Sequence, residues 1–256
     1  MDIKRVSLFS QISKVFLLLL ALSCSFVVIG KEKEESIQAL LTRARNPEVV
    51  ASFAKLDGQL QHRRAGQDVQ SYNFYFGVII QKDRATGQIV INDNEAYIMS
   101  QNRASANSSV IAQQKSSNLL NYTGVRASDL TLSFLFYDFV KEVGQERIGA
   151  IIDCKVVLLQ AKDKSEQVKV WLSTEYAFPM KAEFYKQSKD KTFETTPFRI
   201  LEPGGFTSKE KLYYCRRFII SGPGWKTRIE FDPAKVEVGL FDSKNPVNVI
   251  RKIVKK

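Results

Sequence analysis

The strongest constraint on how this chain folds is a period of two that returns in segment after segment. Tyr72, Phe74, Phe76, Val78 and Ile80 alternate with Asn73, Tyr75, Gly77 and Ile79. Thr86-Gly87 supplies a turn, and Ile89 and Ile91, then Tyr97 and Met99, resume the pattern. It returns at Ile152, Cys154, Val156 and Leu158, at Val168, Val170 and Leu172, and at Met180, Ala182 and Phe184. Thr227, Ile229 and Phe231, then Val236, Val238 and Leu240, close the series. Successive side chains of a strand point to opposite faces, so each segment reads as a strand with one apolar face and one mixed face. No helix of 10–15 residues recurs between them, which argues against a parallel α/β sheet. The expected fold is mainly β: a curved antiparallel sheet, an incomplete β-barrel, covered on its apolar side by a lid of a few helices.

Helical spacing is scarce. Ile37, Leu40, Leu41 and Ala44 form one apolar stripe, ended by Asn46-Pro47. Residues 128–139 read as a second helix, with Ser128 as N-cap and Asp129 in the first turn. Residues 101–121, rich in Ser, Asn, Gln and Ala, read as a loop with a short strand near 110–112. In the tail, Val247, Ile250 and Val254 fit one face of a basic helix. There is no repeat and no linker, so residues 31–256 are expected to form one domain.

The N-terminus carries Lys4, Arg5 and Lys14, an uncharged apolar run over residues 15–29, and a polar stretch from Lys31. The run is shorter than the ~20 apolar residues of a membrane span, so residues 1–30 read as an export signal and the compartment as the periplasm. Cleavage after Gly30 or after Ser23 both fit. Lipidation at Cys24 is an alternative to its loss with the signal. Cys154 and Cys215 are then the cysteines left, and an even count in an exported chain favours a disulfide over two buried thiols.

Several chemistries are poorly provided for. The single histidine, His62, with three cysteines, leaves too few ligands for most zinc sites and no histidine-based constellation. No metal, cofactor or catalytic residue is expected. His62 lies in a basic strand end, His62-Arg63-Arg64, and reads as solvated. Gly222-Pro223-Gly224-Trp225-Lys226-Thr227 resembles a phosphate loop only in its last residues. Trp225 stands where glycine is needed and a strand follows, so a hairpin turn is expected. Asn107-Ser108-Ser109 and Asn121-Tyr122-Thr123 match glycosylation acceptors. The net charge is +11; residues 1–30 contribute a net +2 of it, leaving +9 on the rest. Those cations alternate with acids on outward strand positions, as at Lys181 and Glu183. That is a solvated face rather than a phosphate stripe, and no nucleic-acid partner is expected.

A curved sheet rich in phenylalanine, 17 in all, must cover its apolar face. The outcome is either a filled core or an apolar cavity for a hydrophobic ligand. The order Ser128-Asp129-Leu130-Thr131-Leu132-Ser133-Phe134, Gly144-Gln145-Glu146-Arg147-Ile148, Val168-Lys169-Val170-Trp171-Leu172 and Phe178-Pro179-Met180-Lys181-Ala182-Glu183-Phe184-Tyr185 resembles the outer membrane lipoprotein-sorting family, the LolA-like proteins. The resemblance covers about residues 125–190, and more loosely the rest. It implies a LolA/LolB-like incomplete barrel whose helix-covered cavity carries lipoprotein acyl chains or lipid between inner- and outer-membrane sorting partners. By that analogy Phe74, Phe76, Val78, Val156, Leu158, Val170, Leu172 and Phe184 line the cavity, and Leu130 and Phe134 belong to the lid. The same resemblance also embraces sensors and interaction modules that share the fold without a transport role.

Overall fold

The computed structural model describes residues 35–45, 51–102, 108–114, 118–149, 151–188, 190–210, 212–244 and 246–253. The expected export signal and Cys24 lie outside them, as does Asn107. From Ser36 onward the chain forms one compact unit.

Twelve strands account for most of it: β1 (Ser52–Arg64), β2 (Gln70–Ile80), β3 (Arg84–Ile91), β4 (Glu95–Asn102), β5 (Ser108–Gln114), β6 (Asp138–Ile148), β7 (Ile152–Gln160), β8 (Glu166–Ser173), β9 (Pro179–Lys186), β10 (Arg199–Lys209), β11 (Leu212–Gly222) and β12 (Trp225–Leu240). All belong to one antiparallel sheet in the order β5-β4-β3-β2-β1-β12-β11-β10-β9-β8-β7-β6. β5 and β6 are its two edges, so the sheet is not closed into a barrel. Nearly every neighbour is the next strand in the chain. The exception is β1, which pairs with β2 on one side and with β12 on the other, Ser52 opposite Leu240.

Among the described residues three helices accompany the sheet. In α1 (Ile37–Arg45), the Ser36 hydroxyl accepts from the Ala39 amide at 3.2 Å, and Leu40 and Leu41 are buried. α2 (Leu119–Tyr122) starts where the buried Glu95 carboxylate accepts from the Leu119 and Leu120 amides, both at 2.9 Å. α3 (Ala127–Thr131) is followed by a 3-10 turn at Ser133–Phe136. The single helix expected over 128–139 is therefore broken. Leu132 between the two pieces has a φ of 55°, which ends α-helical bonding, and its cap is Arg126 rather than Ser128. By Asp138 the chain is already strand β6.

The expected helical tail is also absent: residues 246–253 carry no helix. They cross the outer face of the sheet as a strap. The Tyr75 hydroxyl donates to the Val249 carbonyl at 2.7 Å, Gln88 bonds the backbone of Arg251 in both directions, and the Arg251 guanidinium lies 3.6 Å from the Tyr75 ring centre. Gly77 makes the crossing possible, because a Cβ there would collide with the Val249 carbonyl.

One irregularity matters most. β12 pairs with β11 from Gly222↔Trp225 to Arg217↔Glu230 and no further. Opposite β1 the register jumps from Gly58↔Phe231 to Leu56↔Val236, so residues 232–235 bulge out of the ladder. Pro233 has no N–H to give a ladder, and the Asp232 carboxylate takes the Ala234 amide at 3.0 Å. Beyond the bulge β12 stays with β1, while the first half of β11 stays with β10. The sheet is split between them, and the split opens onto its inner face.

Candidate functional site

The inner face is filled at one end. Phe74, Phe134, Phe184 and Phe231 are fully buried there. Phe134 meets Phe184 edge to face at 5.5 Å, and Phe74 and Phe218 both contact Phe231, at 6.1 and 6.5 Å. Behind them lies a polar seal. Asp129 and Arg199 form an ion pair that is 0% and 3% exposed, and Asp129 also accepts from the Arg126 amide at 2.7 Å. The Arg126 guanidinium grips both oxygens of Glu166, at 2.9 and 3.1 Å, and the Tyr137 hydroxyl donates to the same carboxylate at 2.9 Å. Carboxylate contact and burial hold the Tyr137 hydroxyl well above its ordinary pKa.

His62 belongs to this seal. It is 1% exposed, not solvated as its basic neighbours suggested. Being on the inward parity of β1, it points away from Arg63. The Thr227 hydroxyl spends its one proton on the Thr123 carbonyl, so it accepts at 2.8 Å from His62 Nδ1–H. Nε2 is then the bare nitrogen, and it has no partner among the described residues. Burial, and then Arg64, push the imidazole below its ordinary pKa. The Gly222–Thr227 segment is the expected hairpin, with Pro223-Gly224 between Gly222 and Trp225.

Towards the other end of the sheet the packing stops. An apolar cavity of about 410 Å³ lies under the α3 and 3-10 segment. Its floor includes Leu56, Phe76 and Val78, and its roof Leu130 and Leu135. It reaches the surface where its lining residues Tyr213 on β11 and Tyr176 in the β8–β9 connection are exposed, and Val238 on β12 lines it beside the split in the sheet. The roof is fastened at both ends: by the Asp129–Arg199 pair, and by Arg45 of α1, which donates to the Leu135 and Tyr137 carbonyls, both at 2.7 Å. Arg43 ties the same helix to the Thr174 and Glu175 carbonyls at 2.8 and 3.0 Å.

Not all of the ten residues expected at this site meet there. Phe76, Val78 and Leu130 line the cavity. Phe74, Val170, Leu172, Phe184 and Phe134 share the inner face but are packed into the core and do not line the cavity. Val156 and Leu158 are misplaced by the sequence reading. Val156 sits on the outer face in a cluster with Cys154 and Trp171, and Leu158 shares its parity. Both faces of β7 are apolar, so hydrophobicity could not choose between them. Cross-strand partners share a face, and Val170 lies opposite Val157, which therefore points inward with Leu159. Sequence reasoning missed the cavity residues of β10, β11 and β12 altogether, among them Phe206, Tyr213 and Phe218.

The expected disulfide is not formed: Cys154 and Cys215 are free thiols. Cys154 is on the outer face, Cys215 lines the cavity, and three strands separate β7 from β11. Four strand spacings of ~4.8 Å put them roughly 19 Å apart, far beyond bridging distance. Burial pushes both thiols up to about 11. Among the described residues no three His, Cys, Asp or Glu side chains converge in a way that could hold a metal ion.

No protein-family model matches the chain, and no curated protein matches it by sequence. Solved structures do. A DUF1329 family protein from Desulfovibrio piger superposes with a TM-score of 0.58 at 16% identity, over 77% of this chain and 89% of that one. A domain assigned to outer membrane lipoprotein sorting in Vibrio parahaemolyticus gives 0.57 at 11%, over 77% and 90%. A LolA superfamily protein from Nitrosomonas europaea gives 0.50 at 16%, over 81% and 94%. The chain has the LolA-like fold. At these identities the likeness extends to the architecture of sheet and lid, not to a ligand.

Proposed function

We propose that this protein is an exported, non-enzymatic carrier that holds acyl chains of lipoproteins, or another lipid, in the cavity beneath its lid. The observation that carries the reading is the unfilled apolar space of about 410 Å³, open to the surface in a sheet whose other end is packed solid. Pockets for small ligands run to ~300–1,000 Å³. Here the floor and roof offer apolar side chains, and each methylene moved from water into such a lining gains about 0.8 kcal/mol. A chain-like apolar ligand matches that lining. The implied export signal at residues 1–30 and the LolA-like fold of a lipoprotein-sorting domain support a periplasmic setting, with inner- and outer-membrane partners loading and unloading the cargo.

The test is native mass spectrometry of the purified protein with lipid extraction in parallel, followed by titration with a fluorescent fatty acid. Co-purifying lipid or acylated peptide is the expected result. Phe76→Asp places a carboxylate on the cavity floor and should abolish uptake; Ala54→Phe, which fills the slot without charge, should do the same. Lys181→Ala, on the outer face beside Trp171, should bind as the unaltered protein does. An empty protein that takes up no lipid would replace the carrier with a sensor or interaction module of the same fold.

A further inference from the structure

Exposed apolar side chains are not scattered evenly over this protein. Nine large hydrophobic residues are exposed among the described residues, and five of them gather at one end of the sheet: Ile151, Tyr176, Phe206, Tyr213 and Leu240. The strand order dictates this. In a sheet of consecutive antiparallel strands, the β6–β7, β8–β9 and β10–β11 connections and the end of β12 all leave at the same end. It is also the end at which the cavity opens. Of the other four, Ile111, Val140 and Val143 lie on the edge strands, and Val69 alone stands at the opposite end.

The connections touch one another. The Thr174 amide donates to the Asp153 carbonyl at 3.0 Å, which joins the β8–β9 turn to the base of the β6–β7 hairpin. Phe178 meets Phe206 edge to face at 5.0 Å. Tyr176, Phe206 and Tyr213 border the same opening. At the hairpin tip, Ile151 is 86% exposed, so it gains almost nothing from folding. Two exposed tyrosines and a half-exposed phenylalanine at the mouth of an apolar cavity, with an exposed isoleucine at the same end of the sheet, have the chemistry of an interfacial belt. Tyrosine rings with a polar end suit the headgroup level, and aliphatic tips suit the layer below. The connections themselves carry little net charge: Lys211 stands against Glu175 and Glu210, with Lys209 at the end of β10. Attraction to an anionic surface comes instead from the net charge of +9 on residues 31–256, the +11 of the chain less the +2 of residues 1–30.

We propose that this end of the sheet docks on an anionic lipid bilayer, with Ile151, Tyr176 and Tyr213 seated at the headgroup level and the cavity mouth opening onto the membrane. The proposal rests on the reading of the cavity as an acyl-chain site. Each methylene of a chain that crosses water costs about 0.8 kcal/mol, so a long chain leaves a bilayer slowly. A mouth held at the bilayer surface lets the chain slide from one apolar phase to another without that exposure.

The test is flotation with vesicles of phosphatidylethanolamine and phosphatidylglycerol, run beside fatty-acid binding in solution. The unaltered protein is compared with a double variant, Ile151→Ser and Leu240→Ser, and with Phe76→Asp. All share one N-terminus, so residues 15–29 contribute equally to each. Both changed side chains are exposed and neither lines the cavity, so the fold should survive, as fatty-acid binding by the double variant will report. The expected result is at least a tenfold fall in vesicle partitioning for the double variant with fatty-acid binding intact, and the reverse for Phe76→Asp. Equal partitioning by the unaltered protein and the double variant would overturn the proposal. So would an absence of partitioning altogether, including the case in which these side chains cross-link to an envelope protein. Tip-dependent partitioning without any fatty-acid uptake would leave the docking surface standing and sink the carrier reading.

Discussion

At one end of the inner face, His62, Asp129 and Arg199 are buried among Phe184 and the ring of Trp225, and each is held by a partner on another element. At the other end, Phe76, Val78 and Leu130 face a space that nothing fills. The sealed end is costly to assemble, since two charges and an imidazole lose water there, and it is compensated by ion pairing and hydrogen bonds. Gly124 shows how closely it is fitted: its φ of +70° brings the backbone against the Trp225 ring, where a Cβ would collide. The open end has few polar groups to satisfy: Arg45 is spent on carbonyls, and Gln101 is buried in the lining with its Oε1 unpartnered among the described residues. The contrast assigns stability to the first region and leaves the second free to exchange contents, with the α3 and 3-10 segment anchored in the one and roofing the other.

That contrast can be broken most forcefully at the ion pair. Asp129→Ala leaves Arg199 charged and buried without its carboxylate, and should cost about 3–5 kcal/mol in urea unfolding. Replacing both, Asp129→Leu with Arg199→Met, should recover much of that loss; no recovery would mean that Asp129 matters through its cap on Arg126 instead. The next effect compares identical truncations. Leu60→Ala, fully buried on β1 two residues from His62 at the filled end, should cost ~2–5 kcal/mol. Leu130→Ala, which already faces empty space, should fall at or below the bottom of that range, because the hole it leaves joins one that exists. Equal losses would mean that the cavity closes up in solution.

The smallest effect is a dependence on pH. The folded pKa of His62 lies below its ordinary value of about 6.5, so between the two the unfolded chain binds a proton that the folded one refuses. Stability is therefore full above about pH 6.5 and declines as pH falls below it. Because His62 is the sole histidine, the slope of unfolding free energy between pH 7.5 and 5.5 isolates it. His62→Phe should flatten that slope; an unchanged slope would rule out this source.

How much of this was legible in the sequence depended on whether one residue's environment could be inferred from its near neighbours. The β2, β8, β9 and β12 faces were readable because each alternates cleanly. β10 and β11 were not, since Pro203-Gly204-Gly205 and Arg216-Arg217 interrupt any period in mid-strand. Residues 128–139 imitate a helix over most of their length, and one left-handed residue, Leu132, is enough to spoil it. For β7 the pattern was uninformative because both faces are apolar. The existence of a cavity lay beyond reach for a different reason. It depends on a bulge at residues 232–235 that parts β12 from β11, and on the distances between side chains from many elements far apart in the sequence.

The pairing of β1 with β12 has a consequence for how the chain reaches this state. Every other ladder joins consecutive strands and can form as soon as a hairpin is complete, but Ser52 must wait for Leu240. Closing so long a loop is entropically slow, and contacts of this separation delay folding more than they alter stability. Until the last strand arrives, β1 has one bonded edge and the two halves of the sheet have no junction. Synthesis of residues 52–222 can thus yield two loose half-sheets, each with apolar surface in view, and only β12, Trp225–Leu240, welds them into one. Such a chain stays unfolded longest at the moment when it is most exposed to aggregation, and its need for a holding chaperone should end abruptly with the emergence of β12.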